Sequence, residues 1–222
     1  MDASPLAPDI LFHLGPVPIS RAVVTTWAIM ALIFGFLRLA MPHASIKAGP
    51  VQAALEIVVT TIADQLREIL DRDPWPFLPL LGSLFIFLAL ANLSAVIPGA
   101  APPTGHIETP MALALIVFLS VHVSGVRARG LGRYLRHYLE PSPFLMPLNL
   151  LSELTRIFSL MIRLFGNMMS HEFVIAILAL LAGLLVPVPF LLLGILIGLI
   201  QAYIFTVLAT VYIAAAVGAV EA

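Results

Sequence analysis

The chain has 222 residues, of which 61% are hydrophobic and 10% are charged, and its formal net charge is −1. Soluble domains carry about 25% charged residues, so too few polar side chains are present to cover a surface in water, and we expect an integral membrane protein. The near-neutral charge excludes the basic surface of a nucleic-acid-binding protein, and the absence of cysteine excludes disulfides and thiolate metal sites.

Five apolar segments are long enough to cross a bilayer, since a spanning helix needs about 20 residues. They cover residues 20–41, 75–97, 109–126, 148–186 and 188–220. The N-terminal segment 1–19 contains Asp2 and Asp9 but no Lys or Arg, which is unlike a cleaved signal peptide, so the first apolar segment should remain as a membrane helix. The sequence predicts a single integral membrane domain, 1–222, of the all-α class with about five transmembrane helices.

An amphipathic helix is predicted over residues 50–72, between the first two spans. Its apolar side carries Leu55, Val58, Val59, Ile62, Leu66 and Ile69, and its polar side carries Gln52, Glu56, Thr60, Asp64, Arg67 and Asp71. A helix with this pattern and this many charges is expected to lie in the membrane interface rather than to cross the bilayer. A helix packed on a partner at the soluble side is the alternative.

The basic residues indicate how the chain is oriented in the membrane. Arg38, Lys47, Arg67 and Arg72 lie in the first connection, and Arg127, Arg129, Arg133 and Arg136 lie in the third. The second connection, 98–108, and the corner at Val186 and Pro187 contain none. Because connections rich in Lys and Arg face the cytoplasm, segment 1–19 is predicted to lie outside and the C-terminus in the cytoplasm.

The last two apolar segments are longer than a membrane requires. As helices, residues 148–186 would extend about 58 Å and residues 188–220 about 50 Å, and ordinary tilts near 20° do not absorb this excess. We therefore predict either helices that break, with Gly166 and Gly183 as weak points, or a long, steeply tilted hairpin that turns at Pro187 and Pro189.

Ionisable groups concentrate in the fourth segment, although each costs about 2.5–3.5 kcal/mol to insert into a membrane. At about 100° per residue, one polar stripe carries Ser152, Arg156, Ser159, Arg163, Asn167 and Ser170, with Glu153 and His171 beside it. Glu172 lies on the opposite side. Glu153 and Arg156 are three residues apart, which is the spacing of a helical ion pair.

Arg163 is central in this segment and has no carboxylate three or four residues away. Its guanidinium stays protonated under accessible conditions, so in a low-dielectric setting it requires a partner on another element or another chain. The alternative is that Glu153, water or a lipid headgroup satisfies Arg163 by snorkelling.

His171 and Glu172 form a titratable pair that suits a proton path, since histidine titrates near neutral pH. A lone buried histidine is more often a hydrogen-bonded core residue, and this is our interpretation of His122 in the third segment. In the last segment, Gln201 is expected to hydrogen-bond the polar stripe of the preceding helix. Gly194 is interpreted, with Gly198, as a position where helices approach closely.

The run from Asn149 to Glu172 reads NLLSELTRIFSLMIRLFGNMMSHE. Its Arg-Leu-Phe-Gly-Asn-Met resembles the hallmark of subunit a of the F-type ATP synthase, the stator that faces the rotating ring of c subunits. Three weaker matches follow in the family's order: Gln52-Ala-Ala-Leu-Glu56, Asn92 ahead of Pro98, and Gln201-Ala-Tyr-Ile-Phe. Together they cover about residues 50–215.

The resemblance implies a role for each matching residue. Arg163 corresponds to the essential arginine that meets each ring carboxylate and separates two aqueous half-channels. Asn167 and Gln201 correspond to its polar companions, and Glu172 corresponds to the acid at the inlet from the outer face. No cofactor and no metal ion are expected.

Two departures from the family pattern concern titratable groups. Many bacterial members have a glycine before the inlet acid and a histidine on the last helix, whereas here His171 and Gly194 take these places, a swap that keeps one imidazole in the same space. The loop before the third span often reads Pro-Thr-Ala-Asp-Leu-Asn in the family. Here His106 and Glu108 replace the Asp and Asn, which leaves titratable groups at the mouth and leaves the identity of the ion open.

The resemblance implies a non-catalytic, proton-conducting stator subunit of a rotary ATP synthase, in a bacterial plasma (inner) membrane. Its implied partners are the c-subunit ring, subunit b or the peripheral stalk, the soluble ATPase sector and membrane lipid, with no nucleic acid. The hairpin 148–220 is expected to lie against the ring. A Na⁺-translocating version of the same subunit is the alternative.

Three other classes compete with this assignment. An ion-coupled secondary transporter should show two related halves with paired broken helices, and no internal repeat is visible. A structural scaffold should tolerate alanine throughout the polar stripe. A membrane hydrolase is disfavoured because the chain contains neither Gly-x-Ser-x-Gly nor His-Glu-x-x-His.

Overall fold

A short β-hairpin and six long helices make up most of the chain that the structure describes. The structure is a computed structural model, and it describes residues 10–14, 17–40, 49–97, 102–134, 144, 146–183 and 186–218. The helices are α1 (Arg21–Ala40), α2 (Pro50–Leu70), α3 (Leu78–Leu93), α4 (Glu108–Arg129), α5 (Met146–Ala182) and α6 (Pro187–Val217). Two 3₁₀ turns, Ser94–Val96 and Pro103–Gly105, lie between α3 and α4.

Five of these helices are long and apolar enough to cross a membrane, namely α1, α3, α4, α5 and α6. The predicted all-α membrane fold with five transmembrane segments is confirmed. The third segment is longer than predicted, because α4 has 22 residues and includes Glu108 and Arg129 at its polar ends. Helix α2 also forms as predicted, and its placement in the membrane interface stays a prediction.

Among the described residues, the N-terminal β-hairpin departs from the predicted helical class. Strands β1 (Ile10–Leu14) and β2 (Val17–Ser20) pair antiparallel, with Leu14 opposite Val17. Strands of 5 and 4 residues are too short to produce a recognisable alternation, so sequence reasoning described this region only as the outer segment 1–19. The hydroxyl of Ser20 donates to Glu108 Oε2 at 3.1 Å, which joins the hairpin to the start of α4.

Helix α6 is at the centre of the bundle, and α2, α3, α4 and α5 all pack against it. The core includes Leu81, Leu88, Val117, Leu164, Phe205 and Ile213. Helix α5 is buried along only a small part of its 37 residues, since its buried hydrophobic residues are Leu160, Met161, Leu164 and Met168. Much of the surface of α5 therefore faces away from the rest of the chain.

The two long C-terminal helices are continuous. Helix α5 runs for 37 residues, or about 56 Å, and it passes through Gly166 without a break, so the weak point considered there is wrong. It ends before Gly183, which has a φ of +77° that L-residues with side chains disfavour. Helix α6 begins at Pro187, where the missing N–H is tolerated, and has 31 residues. The steep tilt of this hairpin stays a prediction.

Candidate functional site

One face of α6 receives polar side chains from two neighbouring helices. A Cβ atom on Gly194 would overlap the imidazole of His171 on α5, and a Cβ atom on Gly198 would lie 2.9 Å from the Cβ of Asn92 on α3. Residues 194, 198 and 201 lie four and three positions apart and so share this face. The interpretation of Gly194 and Gly198 as close-packing positions is confirmed. The side chains that pack against them, His171 and Asn92, are polar.

Gln201 continues this face and bonds to α5. Asn167 Nδ2 donates to Gln201 Oε1 at 2.7 Å, as the sequence predicted for an amide facing the polar stripe. Gln201 is only 4% exposed, and its buried Nε2 has no hydrogen-bond partner among the described residues. A cavity of about 10 Å³ lies beside it, with Asn92, Asn167 and His171 in its lining, and this volume is close to what one water molecule requires.

Glu172 lies beside the loop that precedes α4. The side chain is partly buried, and a Cβ atom on Gly105 would lie 2.8 Å from its Oε1. Among the described residues, the Glu172 carboxylate has no hydrogen-bond or ion-pair partner. The loop that the sequence placed at the mouth therefore contacts Glu172 through its backbone at Gly105. Glu108, the first residue of α4, accepts a hydrogen bond from Ser20.

Arg163 lies four residues before Asn167 but on exposed surface of α5. Within the described parts of the chain, its guanidinium has no hydrogen bond and no ion pair. Glu153, one of the alternatives considered for it, is ten residues earlier and so about 15 Å away along the helix axis. The chain brings Asn167, His171 and Gln201 together around one small cavity and leaves Arg163 outside that group.

The predicted ion pair between Glu153 and Arg156 is wrong. No ion pair joins them in the part of the chain that the structure describes, and the guanidinium carbon of Arg156 lies 5.5 Å from the centre of the Tyr212 ring of α6. A cation–π contact at an exposed site contributes about 0.5–1 kcal/mol, compared with about 0.2–0.5 kcal/mol for a helical ion pair. The contact that Arg156 makes is therefore with the ring on the neighbouring helix and not with the carboxylate on its own helix.

His122 is a packing residue, as interpreted from the sequence. Its Nδ1 lies 2.9 Å from the carbonyl oxygen of Phe118, and its ring meets Tyr134 edge-on with centroids 5.9 Å apart. Tyr134 in turn occupies space that a side chain at Gly125 would need. These contacts satisfy the imidazole without any link to Arg163.

Sequence reasoning missed two residues of the site, Thr104 and Gly105, and gave Asn92 no more than a motif match. Thr104 Oγ1 donates to Asn92 Oδ1 at 2.8 Å, and Asn92 Nδ2 donates to the carbonyl oxygen of Gly198 at 2.8 Å. The usable signal was Asn92 itself, because an amide near the end of an apolar membrane segment requires hydrogen-bond partners.

Fold and site together define a multi-pass α-helical membrane protein with polar and titratable side chains clustered inside its bundle. Residues 23–214 match the family model described as ATP synthase A chain. The chain is 57% identical over 220 residues to ATP synthase subunit a 2 of Bradyrhizobium sp. (strain BTAi1), covering 99% of both chains. It is 47% identical over 212 residues to ATP synthase subunit a 2 of Pelobacter propionicus, covering 96% of this chain and 93% of that one.

The chain therefore belongs to the ATP synthase subunit a family. Members of this family are the ion-translocating stator subunits of the membrane sector, and they are non-catalytic subunits of the whole enzyme. The resemblance drawn from the arginine motif is confirmed. The secondary transporter, the scaffold and the membrane hydrolase are set aside, because the match extends over nearly the whole chain.

Proposed function

We propose that this chain conducts protons through two aqueous half-channels and couples their flow to rotation of the c-subunit ring. The observation that carries the proposal is the exposed guanidinium of Arg163, which has no partner among the described residues. A guanidinium does not lose its proton, and a charge inside a membrane must be paired or solvated. A carboxylate carried by a neighbouring, moving chain fits this requirement.

Electrostatics then gives the coupling. A ring carboxylate that has released its proton is an anion in a low-dielectric setting, and a charge-assisted contact with Arg163 stabilises that state. The carboxylate reloads from one half-channel and unloads into the other, so net flow requires the ring to turn. Each elementary charge that crosses releases about 2.3 kcal/mol per 100 mV, and several crossings are summed for each ATP.

One half-channel is proposed to run past Glu172 and His171 toward Arg163. Both side chains are titratable and partly buried on α5, which favours the proton as the ion. The bonded pair of Asn167 and Gln201 lies between these groups and Arg163 along the helix. The pair is proposed to keep α5 and α6 in register where the ring carboxylate arrives.

The arrangement in the complex is also part of the proposal. The hairpin of α5 and α6, together with the flanking residues of 148–220, presents the exposed surface of α5 to the ring, and subunit b or the peripheral stalk holds the chain against the soluble ATPase sector. Segment 1–19 lies outside and the C-terminus lies in the cytoplasm. The relatives come from bacteria, so the membrane is proposed to be a bacterial plasma (inner) membrane.

The test is Arg163→Ala in the assembled complex. Removing one partner of a buried charge pair costs about 3–5 kcal/mol, so we expect ATP synthesis driven by an imposed pH gradient to fall by about two to four orders of magnitude. The amount of complex recovered from the membrane should stay near normal, because Arg163 makes no hydrogen bond within the described chain.

Arg156→Ala is the matched control, since Arg156 is an exposed arginine on the same polar stripe two turns earlier. It loses a single cation–π contact with Tyr212, and the variant should keep most of its coupled synthesis. Near-normal synthesis in Arg163→Ala, with the complex assembled, would refute the proposed role of Arg163.

A further inference from the structure

The 3₁₀ turn Pro103–Gly105 is held in the bundle by a buried hydrogen-bond chain that the proposed mechanism does not use. Thr104 Oγ1 donates to Asn92 Oδ1, and Asn92 Nδ2 donates to the carbonyl oxygen of Gly198, both at 2.8 Å. Thr104 is 0% exposed and Asn92 is 2% exposed. These two hydrogen bonds therefore link the turn to α3 and α6 through side chains that are shielded from solvent.

The two hydrogen bonds share Asn92, so the loss of either one affects the other. The Cβ of Asn92 packs where Gly198 has no side chain, which brings the amide within reach of the Gly198 carbonyl oxygen. Without the Thr104 hydroxyl, the buried Asn92 Oδ1 loses its partner, and a buried acceptor left unpaired costs far more than an exposed one. The turn would move away from α3 in response.

The same turn fixes the position of Glu172. Gly105 immediately follows Thr104, and a Cβ atom on Gly105 would lie 2.8 Å from Glu172 Oε1. No described residue donates a hydrogen bond to this carboxylate, and the backbone at Gly105 bounds the space beside its Oε1. A shift of the turn therefore moves the carboxylate or releases it.

We propose that Thr104 and Asn92 are positioning residues for Glu172. They hold Gly105 against the carboxylate and so set its place in the half-channel, while neither of them exchanges the proton. The inference rests on the proposed role of Glu172 in proton conduction.

The test compares Thr104→Val in two backgrounds, using ATP synthesis driven by an imposed pH gradient in vesicles that contain the whole complex. Valine keeps the shape of threonine and removes the hydroxyl. We expect the rate to fall about fivefold in the native background, the ratio that corresponds to one lost hydrogen bond. In the Glu172→Gln background, adding Thr104→Val should change the already slower rate by less than about twofold, since effects of coupled residues are not additive.

Thr104→Ser keeps the hydroxyl, so in the native background this variant should synthesise ATP at close to the native rate. Gly105→Ala is the second variant, because it leaves the Thr104 hydroxyl in place and puts a methyl group against Glu172 Oε1. It should slow synthesis even if Thr104→Val fails to assemble. A native rate in Gly105→Ala would overturn the inference.

Two results separate this inference from the proposed function. If Glu172→Gln slows synthesis but Thr104→Val lowers the rate by the same factor in both backgrounds, Thr104 has a structural role only and the inference alone fails. If Glu172→Gln leaves the rate unchanged, Glu172 is off the proton path. In that case the proposed role of Glu172 fails, and the positioning role falls with it.

Discussion

The two halves of α5 on either side of Arg163 differ in what surrounds their polar groups. After Arg163, Asn167 bonds to Gln201 and both His171 and Glu172 pack onto glycine positions of other elements. Before Arg163, Ser152, Ser159 and Arg156 are exposed, and Arg156 alone among these three contacts another helix, at Tyr212. Helix α5 thus contacts other elements through Asn167, His171 and Glu172 after Arg163, whereas the polar groups Ser152, Arg156 and Ser159 before Arg163 are exposed.

This difference indicates where a second chain is needed. Polar groups in a membrane are satisfied by protein or by water. In the second half of α5, Asn167 bonds to Gln201, and His171 and Glu172 lie against other elements of the same bundle. Arg163 has no hydrogen-bond or ion-pair partner among the described residues, which fits the proposed contact with a second chain. The boundary between the two halves is the arginine itself, which is where a moving carboxylate would pass from one environment to the other.

The largest effect we expect within the internally packed half is that of Glu172→Gln. Glutamine keeps the shape of the side chain and removes the exchangeable proton, so proton transfer through this half-channel, including proton release during ATP-driven pumping, should slow by about tenfold, or ~1.4 kcal/mol on the barrier. ATP-driven proton pumping in inverted vesicles measures this rate, and the ring should stay docked.

Glu68→Gln is the control for Glu172→Gln. Glu68 is an exposed acid on α2, outside the polar cluster, and its amide variant should pump at the native rate. If Glu172→Gln and Glu68→Gln both pump at the native rate, Glu172 is not on a proton path. The packing difference between the two halves of α5 would then have no role in proton conduction.

A smaller effect is expected where His171 packs on α6. Gly194→Ala places a methyl group into the imidazole of His171, and overpacking of this kind costs about 1 kcal/mol or more. Heat inactivation of the complex should therefore occur at a lower midpoint temperature than in the native complex.

Gly166→Ala is the matched variant for Gly194→Ala. Gly166 also lies within a membrane helix, but a Cβ atom on Gly166 would meet no other described side chain or element within 4 Å. Replacing a helical glycine by alanine favours the helix by about 0.5–1 kcal/mol, so the variant should leave the midpoint temperature unchanged or raise it. Equal losses in both variants would show that His171 is not packed on α6.

The transmembrane fold was predictable from the sequence because apolar length is a strong and local signal. Five spans follow from counting residues against the thickness of a bilayer, and the ends of α4, for example, lie within three residues of the predicted 109–126. The β-hairpin was not predictable in this way, since its strands are short. The continuity of α5 through Gly166 was not predictable either, because a helical glycine costs only about 0.5–1 kcal/mol and the sequence alone does not show whether the rest of the helix offsets that cost.

The positions of the site residues along α5 were predictable, but their contacts with other helices were not. Helical spacing placed Arg163, Asn167 and His171 along one stripe, but it does not say which neighbouring helix meets each side chain. The Asn92 contacts connect residues 12 and 106 positions apart, so they depend on how helices pack. The helical spacing of Glu153 and Arg156 was a poor predictor for the same reason. Arg156 contacts Tyr212 of another helix, which spacing along α5 does not reveal.

The smallest effect is expected in the outward-facing half, at Ser159. Its hydroxyl is exposed and has no hydrogen-bond partner among the described residues, so Ser159→Ala should change the stability of the chain by less than about 0.5 kcal/mol. Ser94→Ala provides the contrast, because Ser94 is 8% exposed and its hydroxyl donates to the carbonyl oxygen of Ala91 at 2.6 Å.

The Ser94 variant should lose about 1 kcal/mol, the usual net contribution of a hydrogen bond, and the midpoint temperature of heat inactivation compares the two serines directly. A loss at Ser159 as large as that at Ser94 would mean that the first half of α5 is packed by its own chain. A silent Ser159→Ala leaves that surface open to the ring, which is the condition that the proposed coupling requires.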